Sequence, residues 1–463
     1  MKNISSRNKC IGFTLLQLLL VYFFAVPAFA EQKVLNLNQL IEMALENSPE
    51  LKMAHQDIMV ARSEYNQAKA GMLPQLDVKM FGGPVNDARV PTVAVNGNVG
   101  TLQTNEESGI GVFGRLDFTI AQPLYTFGKI SNRKDAALLG VEAQKAGREQ
   151  KRNEIILQVK ELYYAYLVAG QGRSAAREAD DFLQDAATRI KRLIELKAQN
   201  ADSSDLYRLE AFSAEVKAFA AQAESGAHLA YMALKRTVGI PDKEQFKLDI
   251  TELSKEDVNL ASEEEYVQQA MMQRPQFEQL RKGVEAMKKM SDAAKADLYP
   301  SFFAAAQGSV AGAPGRESFQ NSYWPDEFNH GYAGVVAGAE WHFDLGIGKG
   351  KWDKAKAEYQ KMRHTQEMAE QKIPLEVMKY YQDAVEAKKG YLAYEQAAVG
   401  SRRWIVAAFS NFDIGLGTAR DVFDAIDRYG KNQGEYLRSL YNYHVALARL
   451  NYAIGQNADI KIE

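Results

Sequence analysis

The feature that most constrains the fold of this 463-residue chain is an internal duplication. Six residues recur at a fixed offset of 226 positions: Ala44, Pro49, Ala68, Lys69, Ala70 and Pro74 return as Ala270, Pro275, Ala294, Lys295, Ala296 and Pro300. Similarity at one offset with no gap is typical of a structural unit that is present twice. We therefore predict an N-terminal segment, residues 1–30, followed by two repeats, residues 31–260 and 261–463.

The N-terminal segment has the three parts of an export signal. Basic residues come first, residues 11–24 are apolar, and Ala28 and Ala30 form a small-residue cleavage site. Cys10, the single cysteine, precedes the apolar run, so the exported chain would contain no disulfide. No later run reaches the ~20 apolar residues of a transmembrane helix. The sequence therefore predicts an exported signal-peptide protein that is either soluble or a β-barrel.

Charge and motifs argue against nucleic-acid binding and catalysis. Lys and Arg number 56 and Asp and Glu 59, for a net charge of −3, so there is no basic excess to attract nucleic acid. The histidines lack metal-site spacing, and phosphate-binding and nucleophile motifs are absent. Asp326, Glu327 and His330 share a predicted outer loop, where polar residues are common. We predict no enzyme activity, no catalytic residues and no cofactor or metal site.

Each repeat reads as a helix, a hairpin, a very long helix, a turn and another helix. The helical pattern covers residues 37–70, 129–198 and 204–238, and then 263–297, 349–412 and 418–454. Apolar residues three and four apart, such as Leu437, Leu440 and Leu447, mark the seam of nearly parallel helices. A helix of about 65 residues is ~100 Å long. The two shorter helices of a repeat, laid end to end, would match the length of its long helix. We therefore predict that each repeat forms a rod of two helical columns.

The segments between the helices alternate apolar and polar residues with a period of two, which is the pattern of strands. Leu76 and Val78 belong to this pattern in the first repeat, and Val335 belongs to it in the second. Loops rich in Gly, Pro and Asn are predicted over residues 82–109 and 308–331. Two hairpins therefore supply four strands.

Four strands leave open edges, which cannot face lipid, and a membrane barrel needs at least about 8 strands. Either several copies pool their hairpins into one barrel, or the hairpins form a small sheet that packs on something else. Tyr125 and Trp341 near the strand ends favour lipid, because aromatic girdles lie at that level.

This layout resembles the TolC family of outer-membrane efflux proteins over nearly all of residues 31–455. The resemblance is carried by NSPEL at 47–51, LP at 73–74, QPLY at 122–125, FDIGLGTARDVFDA at 412–425, YNY at 441–443 and LNYAIG at 450–455. The family implies a mainly α fold with a small transmembrane β part. Long coiled-coil-like helices form a periplasmic α-barrel, and four strands per protomer contribute to a shared 12-stranded outer-membrane β-barrel in a homotrimer.

The resemblance implies the passive exit duct of a tripartite efflux or type I secretion system. Such a duct contacts lipid of a Gram-negative outer membrane and extends far into the periplasm. A periplasmic adaptor (membrane fusion) protein would connect it to an inner-membrane transporter of the RND or ABC type. The alternative is a soluble periplasmic coiled-coil adaptor or scaffold. Adaptors usually carry one helical hairpin and a lipoyl-like β domain, whereas this chain has two hairpins, so we favour the duct.

Asp421 and Asp424 are the predicted periplasmic gate and selectivity ring. They lie three residues apart and therefore share one helix face. The family places acidic residues at both positions on the tunnel lining, and in a trimer they would form two stacked rings that favour cations. Thr418 and Asp421 also have capping-box spacing, and both interpretations can hold together. Some family members latch this end with a Tyr and an Arg, where this chain has Phe412 and Gly417.

The two helix turns are the predicted adaptor contacts. The second turn, with Gly415, Leu416, Gly417 and Thr418, resembles the glycine-leucine tip of the family, and the first turn contains Asn200. Glycine and asparagine also end helices for backbone reasons alone. The binding prediction therefore rests on the resemblance.

Overall fold

The computed structural model describes residues 33–87, 92–96, 99–103, 109–198, 201–255, 258–318, 323 and 326–456. The predicted signal peptide, residues 1–30, lies outside these residues. The helices are α1 (Leu37–Asn47), α2 (Pro49–Ala70), α3 (Lys129–Glu195), α4 (Ser203–Val238), α5 (Glu263–Gln273), α6 (Pro275–Ala296), α7 (Ile347–Asp413) and α8 (Ala419–Ala453). The strands are β1 (Lys33–Leu35), β2 (Gln75–Asn86), β3 (Thr92–Asn96), β4 (Val99–Gln103), β5 (Ile110–Tyr125), β6 (Phe246–Leu248), β7 (Ser301–Gly312) and β8 (His330–Glu340).

Helix lengths recur along the chain in the same order. α1 and α5 both have 11 residues, α2 and α6 have 22, and α3 and α7 have 67. α4 and α8 have 36 and 35 residues. The boundaries of the two repeats, at residues 31, 261 and 463, stay a prediction.

Two helices that the sequence pattern joined are interrupted. The predicted helices 37–70 and 263–297 each break before a proline, at Ser48 and at Arg274. Proline disfavours a helical conformation in the preceding residue, and Ser48 and Arg274 have ψ angles of 119° and 123°. The Ser48 hydroxyl accepts a hydrogen bond from the Leu51 N–H at 3.2 Å and so caps α2.

The helices form one layer of four columns. α2 and α4 both pack on α3, α6 and α8 both pack on α7, and α3 also contacts α6 and α8. The two shorter helices therefore lie end to end beside one long helix, as predicted, and each long column measures about 100 Å. Leu437, Leu440 and Leu447 are buried in the seam, as predicted.

A belt that the sequence did not predict crosses one face of this layer. We define the belt as residues 246–255 and 258–262, which begin with β6, paired in parallel with β1. The His444 ring contacts the Ser254 carbonyl oxygen at 2.9 Å, and Lys388 Nζ donates to the Val258 carbonyl at 2.9 Å. The Leu253 N–H donates to Gln171 on α3 at 3.2 Å. The belt therefore marks which face of α3, α7 and α8 is covered.

The four long strands form one antiparallel sheet in the order β2-β5-β7-β8, and β3 and β4 form a separate hairpin. Among the described residues, β2 and β8 each pair on one side only. The predicted loops at 82–109 and 308–331 were too wide, because both long hairpins extend into them. Glycine-rich stretches such as residues 82–83 lack the alternation that marks a strand, although backbone pairing continues there.

Candidate functional site

The strand register separates an apolar face from a polar face. The apolar rows are Leu76, Ile120, Ala306 and Val335, and then Val78, Phe118, Gly308 and Ala333. The rows between them, on the opposite face, are Asp77, Thr119, Gln307 and Gly334, and then Lys79, Asp117, Ser309 and Tyr332. The side chains of Val78 and Val335 are 53% and 82% exposed. The sheet therefore presents an uncovered apolar surface on one side only.

The polar face is organised by hydrogen bonds across three strands. The Ser309 hydroxyl donates to Asp117 Oδ1 at 2.6 Å, and Arg115 Nε donates to the same oxygen at 2.9 Å. His330 Nε2 lies 2.7 Å from the Ser309 hydroxyl, and its Nδ1 lies 2.7 Å from the Asp326 carbonyl oxygen. Both ring nitrogens therefore have partners. Within the described part of the chain, no group of His, Cys, Asp and Glu is arranged to hold a metal ion.

Aromatic rings gather where the strands meet the helices. Tyr125 and Trp341 lie at this end, with the Tyr125 and Phe127 rings 4.7 Å apart and the Trp341 and Phe343 rings 4.5 Å apart. Trp341 donates its indole N–H to the Leu298 carbonyl at 3.1 Å. Tyr125 and Trp341 are both more than half exposed. Exposed aromatic side chains of this kind suit a membrane interface.

The two helix turns at the far end of the layer share one backbone geometry. Lys197 and Gly415 have φ angles of 53° and 78°, and the next N–H groups reach back to the carbonyls of Leu193 and Asn411, both at 2.9 Å. This is a left-handed helix end. Leu416 at the tip of the second turn is 81% exposed. Asn200, the predicted contact in the first turn, lies outside the described residues.

Asp421 caps its own helix. The Thr418 backbone N–H and hydroxyl both donate to Asp421 Oδ2 at 2.8 Å, and together they hold the pKa of the Asp421 carboxyl below its usual value. The Asp421 N–H donates back to the Thr418 hydroxyl at 3.4 Å, which completes the capping box. The capping interpretation is therefore confirmed. It leaves the ring interpretation open, because both Asp421 and Asp424 are exposed.

Replacing Thr418 by alanine should lower the free energy of unfolding by about 1 kcal/mol, since it removes this cap. The lowered pKa of Asp421 adds a pH dependence: its contribution is present above the pKa of a free aspartate, about 4, and is lost as the pH falls below that value. Denaturant unfolding followed by circular dichroism at pH 7 and at pH 3 checks both effects. A Thr418→Ser variant, which keeps the hydroxyl, is the control; equal stability of both variants would contradict the capping role.

Asp424 lies on the face of α8 that is turned away from the belt. Glu435 and Arg438 follow it at intervals of eleven and three residues, which keeps all three near one line on a helix. His444, which contacts the belt, is nine residues beyond Glu435 and therefore on the opposite side. Asp424 thus heads a line of charged residues on the uncovered face of the layer.

In the half of the helix layer that leads to the turns, side-chain contacts join α3 to the second helical hairpin. Glu178 accepts from Arg402 on α7 at 2.7 Å and from the buried Tyr429 hydroxyl on α8. Burial, together with the hydrogen bond to Glu178, raises the pKa of Tyr429. Arg189 pairs with Asp413 at the end of α7. These partners lie 224 to 251 positions apart in the sequence, and sequence reasoning missed them.

An open-edged sheet with one exposed apolar face, continuing into helices about 100 Å long, defines the class of outer-membrane channels with a helical extension. A family model described as "Outer membrane efflux protein" matches residues 40–195 and 266–456, so the chain belongs to that family. The chain is therefore an efflux channel of a Gram-negative outer membrane, and the TolC-family resemblance is confirmed. Nothing supports the adaptor or scaffold alternative. None of the helices within the described residues combines the length and apolar composition needed to cross a membrane.

Solved structures of outer-membrane channels share the fold. The CmeC outer membrane channel of Campylobacter jejuni has a TM-score of 0.74 at 15% identity, with 92% of this chain and 87% of that chain covered. The open state of the Neisseria gonorrhoeae MtrE outer membrane channel has a TM-score of 0.72 at 19% identity, with 92% of this chain and 91% of that chain covered. The outer membrane protein VceC of Vibrio cholerae has a TM-score of 0.70 at 20% identity, with 91% of this chain and 96% of that chain covered. No curated protein sequence matches the chain.

Proposed function

We propose that three copies of this chain pool their four-stranded sheets into one 12-stranded barrel and their helix layers into one tunnel. The observation that supports this most directly is that both the strand sheet and the helix layer of one protomer have free edges. β2 and β8 each have one strand partner among the described residues, and the α2/α4 and α7 columns lie at the two sides of the helix layer. Strand edges cannot remain unpaired in lipid, so neighbouring copies must join them.

The assembled duct would be passive and would have no catalytic step of its own. A periplasmic adaptor would meet it at the two helix turns, including Gly415, Leu416, Gly417, Thr418 and Asn200, and an inner-membrane transporter of the RND or ABC type would deliver the cargo. The exposed Leu416 and the well-formed left-handed turn support this contact. Site-specific photo-crosslinking from position 416 in cells tests it: a crosslinked partner supports the contact, and a trimer without any partner argues against it.

Asp421 and Asp424 would line the periplasmic end of the duct. A belt that lay inside the tunnel would obstruct the tunnel, so the belt face would be the outer one. Asp424 lies on the opposite face, which would then line the tunnel. Three copies would bring six carboxylates together, which favours cations over anions in the pore.

Asp421→Asn combined with Asp424→Asn should reduce the cation selectivity of the channel. Single-channel current across a planar bilayer, with a salt gradient to give the reversal potential, is the measurement. Asp181→Asn is the matched control. Asp181 is exposed and lies seven residues, or about two helical turns, after the belt-side Ser174, so it is on the belt side of α3. An unchanged reversal potential in the double variant would leave Asp421 as a helix cap only. A wild-type protein that carries no current would contradict the duct itself.

A further inference from the structure

The helix layer carries a groove on the face opposite the belt. Gly170 on α3 faces the belt side, and Gly172, two residues and therefore about 200° further round the helix, lines the groove on the other side. There the groove has a volume of about 740 Å³, inside the ~300–1,000 Å³ range of small-molecule sites. Its floor is α3, and α4 and α8 form its two walls.

The groove exists because the residues that face it are small and leave the space between the three helices unfilled. The small lining residues include Gly172, Ala176 and Ala179 on α3, Ala223 on α4, and Gly430 and Gly434 on α8. A Cβ atom added at Gly430 or at Gly434 would meet no other atom within 4 Å. Side chains larger than glycine would fit there, so helix packing does not require these glycines. Glycine also costs a helix about 1 kcal/mol relative to alanine.

The walls are aromatic and apolar. Phe212, Val216 and Phe219 line the α4 side, and Leu437 and Tyr441 line the α8 side. Phe219 is 44% exposed although it has an apolar neighbourhood. An apolar surface of this kind favours a ligand with a flat or bulky apolar body.

The charges at the rim favour a cation. Asp427 pairs with Lys431 at 2.8 Å, and Glu435 lies 3.7 Å from Arg438, so these four charges largely offset one another. Glu215 is exposed and has no ion-pair partner among the described residues. It stands between Phe212 and Phe219 on the same face of α4, three and four residues away. A carboxylate flanked by two aromatic rings is suited to an aromatic or alkylated cation.

We propose that this groove is a binding site for small amphiphilic aromatic cations on the wall of the duct. The apolar body lies between α4 and α8 over Gly172, and the positive group lies beside Glu215. Placing the groove inside the duct rests on the proposed function, because it requires the belt face to be the outer one. Cargo of this class would then pause on the wall during passage.

Rhodamine 6G, an aromatic cation, is the probe, and fluorescence anisotropy with the purified full-length protein in a fixed detergent concentration is the measurement. Saturable binding is expected, with none for the anion fluorescein. Gly434→Leu should abolish saturable binding because it fills the groove. Glu215→Gln should weaken binding by roughly three- to tenfold, the value of a lost cation contact. Gly170→Leu, on the belt side of α3 and also without a neighbour within 4 Å, should bind like the wild type.

Equal binding to the wild type, Gly434→Leu and Glu215→Gln would overturn the site. Dye binding and channel current are independent measurements. A wild-type protein that carries current but shows no specific dye binding would contradict the groove site and leave the duct intact. Rhodamine 6G should also reduce the wild-type current and should leave the Gly434→Leu current unchanged. Binding that has no effect on the current would overturn the placement of the groove inside the duct.

Discussion

An arginine at Val78 should keep the protein from assembling in the outer membrane, whereas an arginine at Thr119 should be tolerated. Val78 lies on the apolar face of β2, opposite Phe118, and its side chain is more than half exposed in one protomer. On a lipid-facing barrel surface an arginine near the midplane costs about 2–4 kcal/mol. In the proposed trimer, three copies of the chain would multiply that cost.

Thr119 is the matched control because it lies one row away on the polar face. It pairs with Asp77 across the strands, so an arginine there gains an acidic neighbour on the polar face, which would line the interior of the proposed barrel. The measurement is the amount of detergent-resistant trimer in purified outer membranes, at equal total expression. Loss of trimer in both variants, or in neither, would contradict the assignment of the apolar face to lipid.

Loosening the contacts between the two helical hairpins should open the periplasmic end. Glu178 holds Arg402 and Tyr429, and Arg189 holds Asp413. Hydrogen bonds to charged groups contribute about 1.5–3 kcal/mol when sheltered, which applies to the bond from the buried Tyr429 hydroxyl to Glu178. The two ion pairs contribute less, because the side chains of Glu178 and Arg402 are 34% and 63% exposed and those of Arg189 and Asp413 are 32% and 48% exposed. A net loss of about 1.4 kcal/mol raises the opening equilibrium roughly tenfold.

Glu178→Gln with Arg189→Gln should therefore increase the fraction of open time or the mean conductance in planar bilayers. This prediction matters because the family resemblance implies that latch residues of some members correspond to Phe412 and Gly417 here. The Phe412 side chain has no polar group and is almost completely buried, so it cannot form a polar latch. Lys255→Gln is the control, since its partner Glu395 joins the belt to α7 away from the turns. Conductance that is the same in all three proteins would show that these pairs do not restrain the opening.

The helices were predictable to within a few residues, for a local reason. Apolar side chains three and four apart define each seam, and the turns at Gly415 and near Lys197 end the helices by backbone geometry. The breaks before Pro49 and Pro275 were missed, because the apolar spacing continues across them. The proline rule identifies them once it is applied to Ser48 and Arg274.

The sheet was predictable in its alternation and not in its extent. Glycines such as Gly82 and Gly308 give no periodic signal in the sequence. In the sheet, Gly308 is needed for packing, because the Phe118 ring covers it and its nearest atom would lie 2.4 Å from an added Cβ. The belt was invisible because β1 and β6 have three residues each and pair across more than 200 positions.

The sequence by itself determined the periodic elements, the alternation of the strands and the capping of α8 by Thr418 and Asp421. Each of these depends on residues within one or two turns of one another, so the information is local. Only the tertiary structure decided which face of the helices the belt covers, that Glu178 joins α3 to α7 and α8, and that α4 and α8 leave a groove over Gly172. These features arise from packing between residues far apart in the chain, where spacing along the sequence carries no distance information.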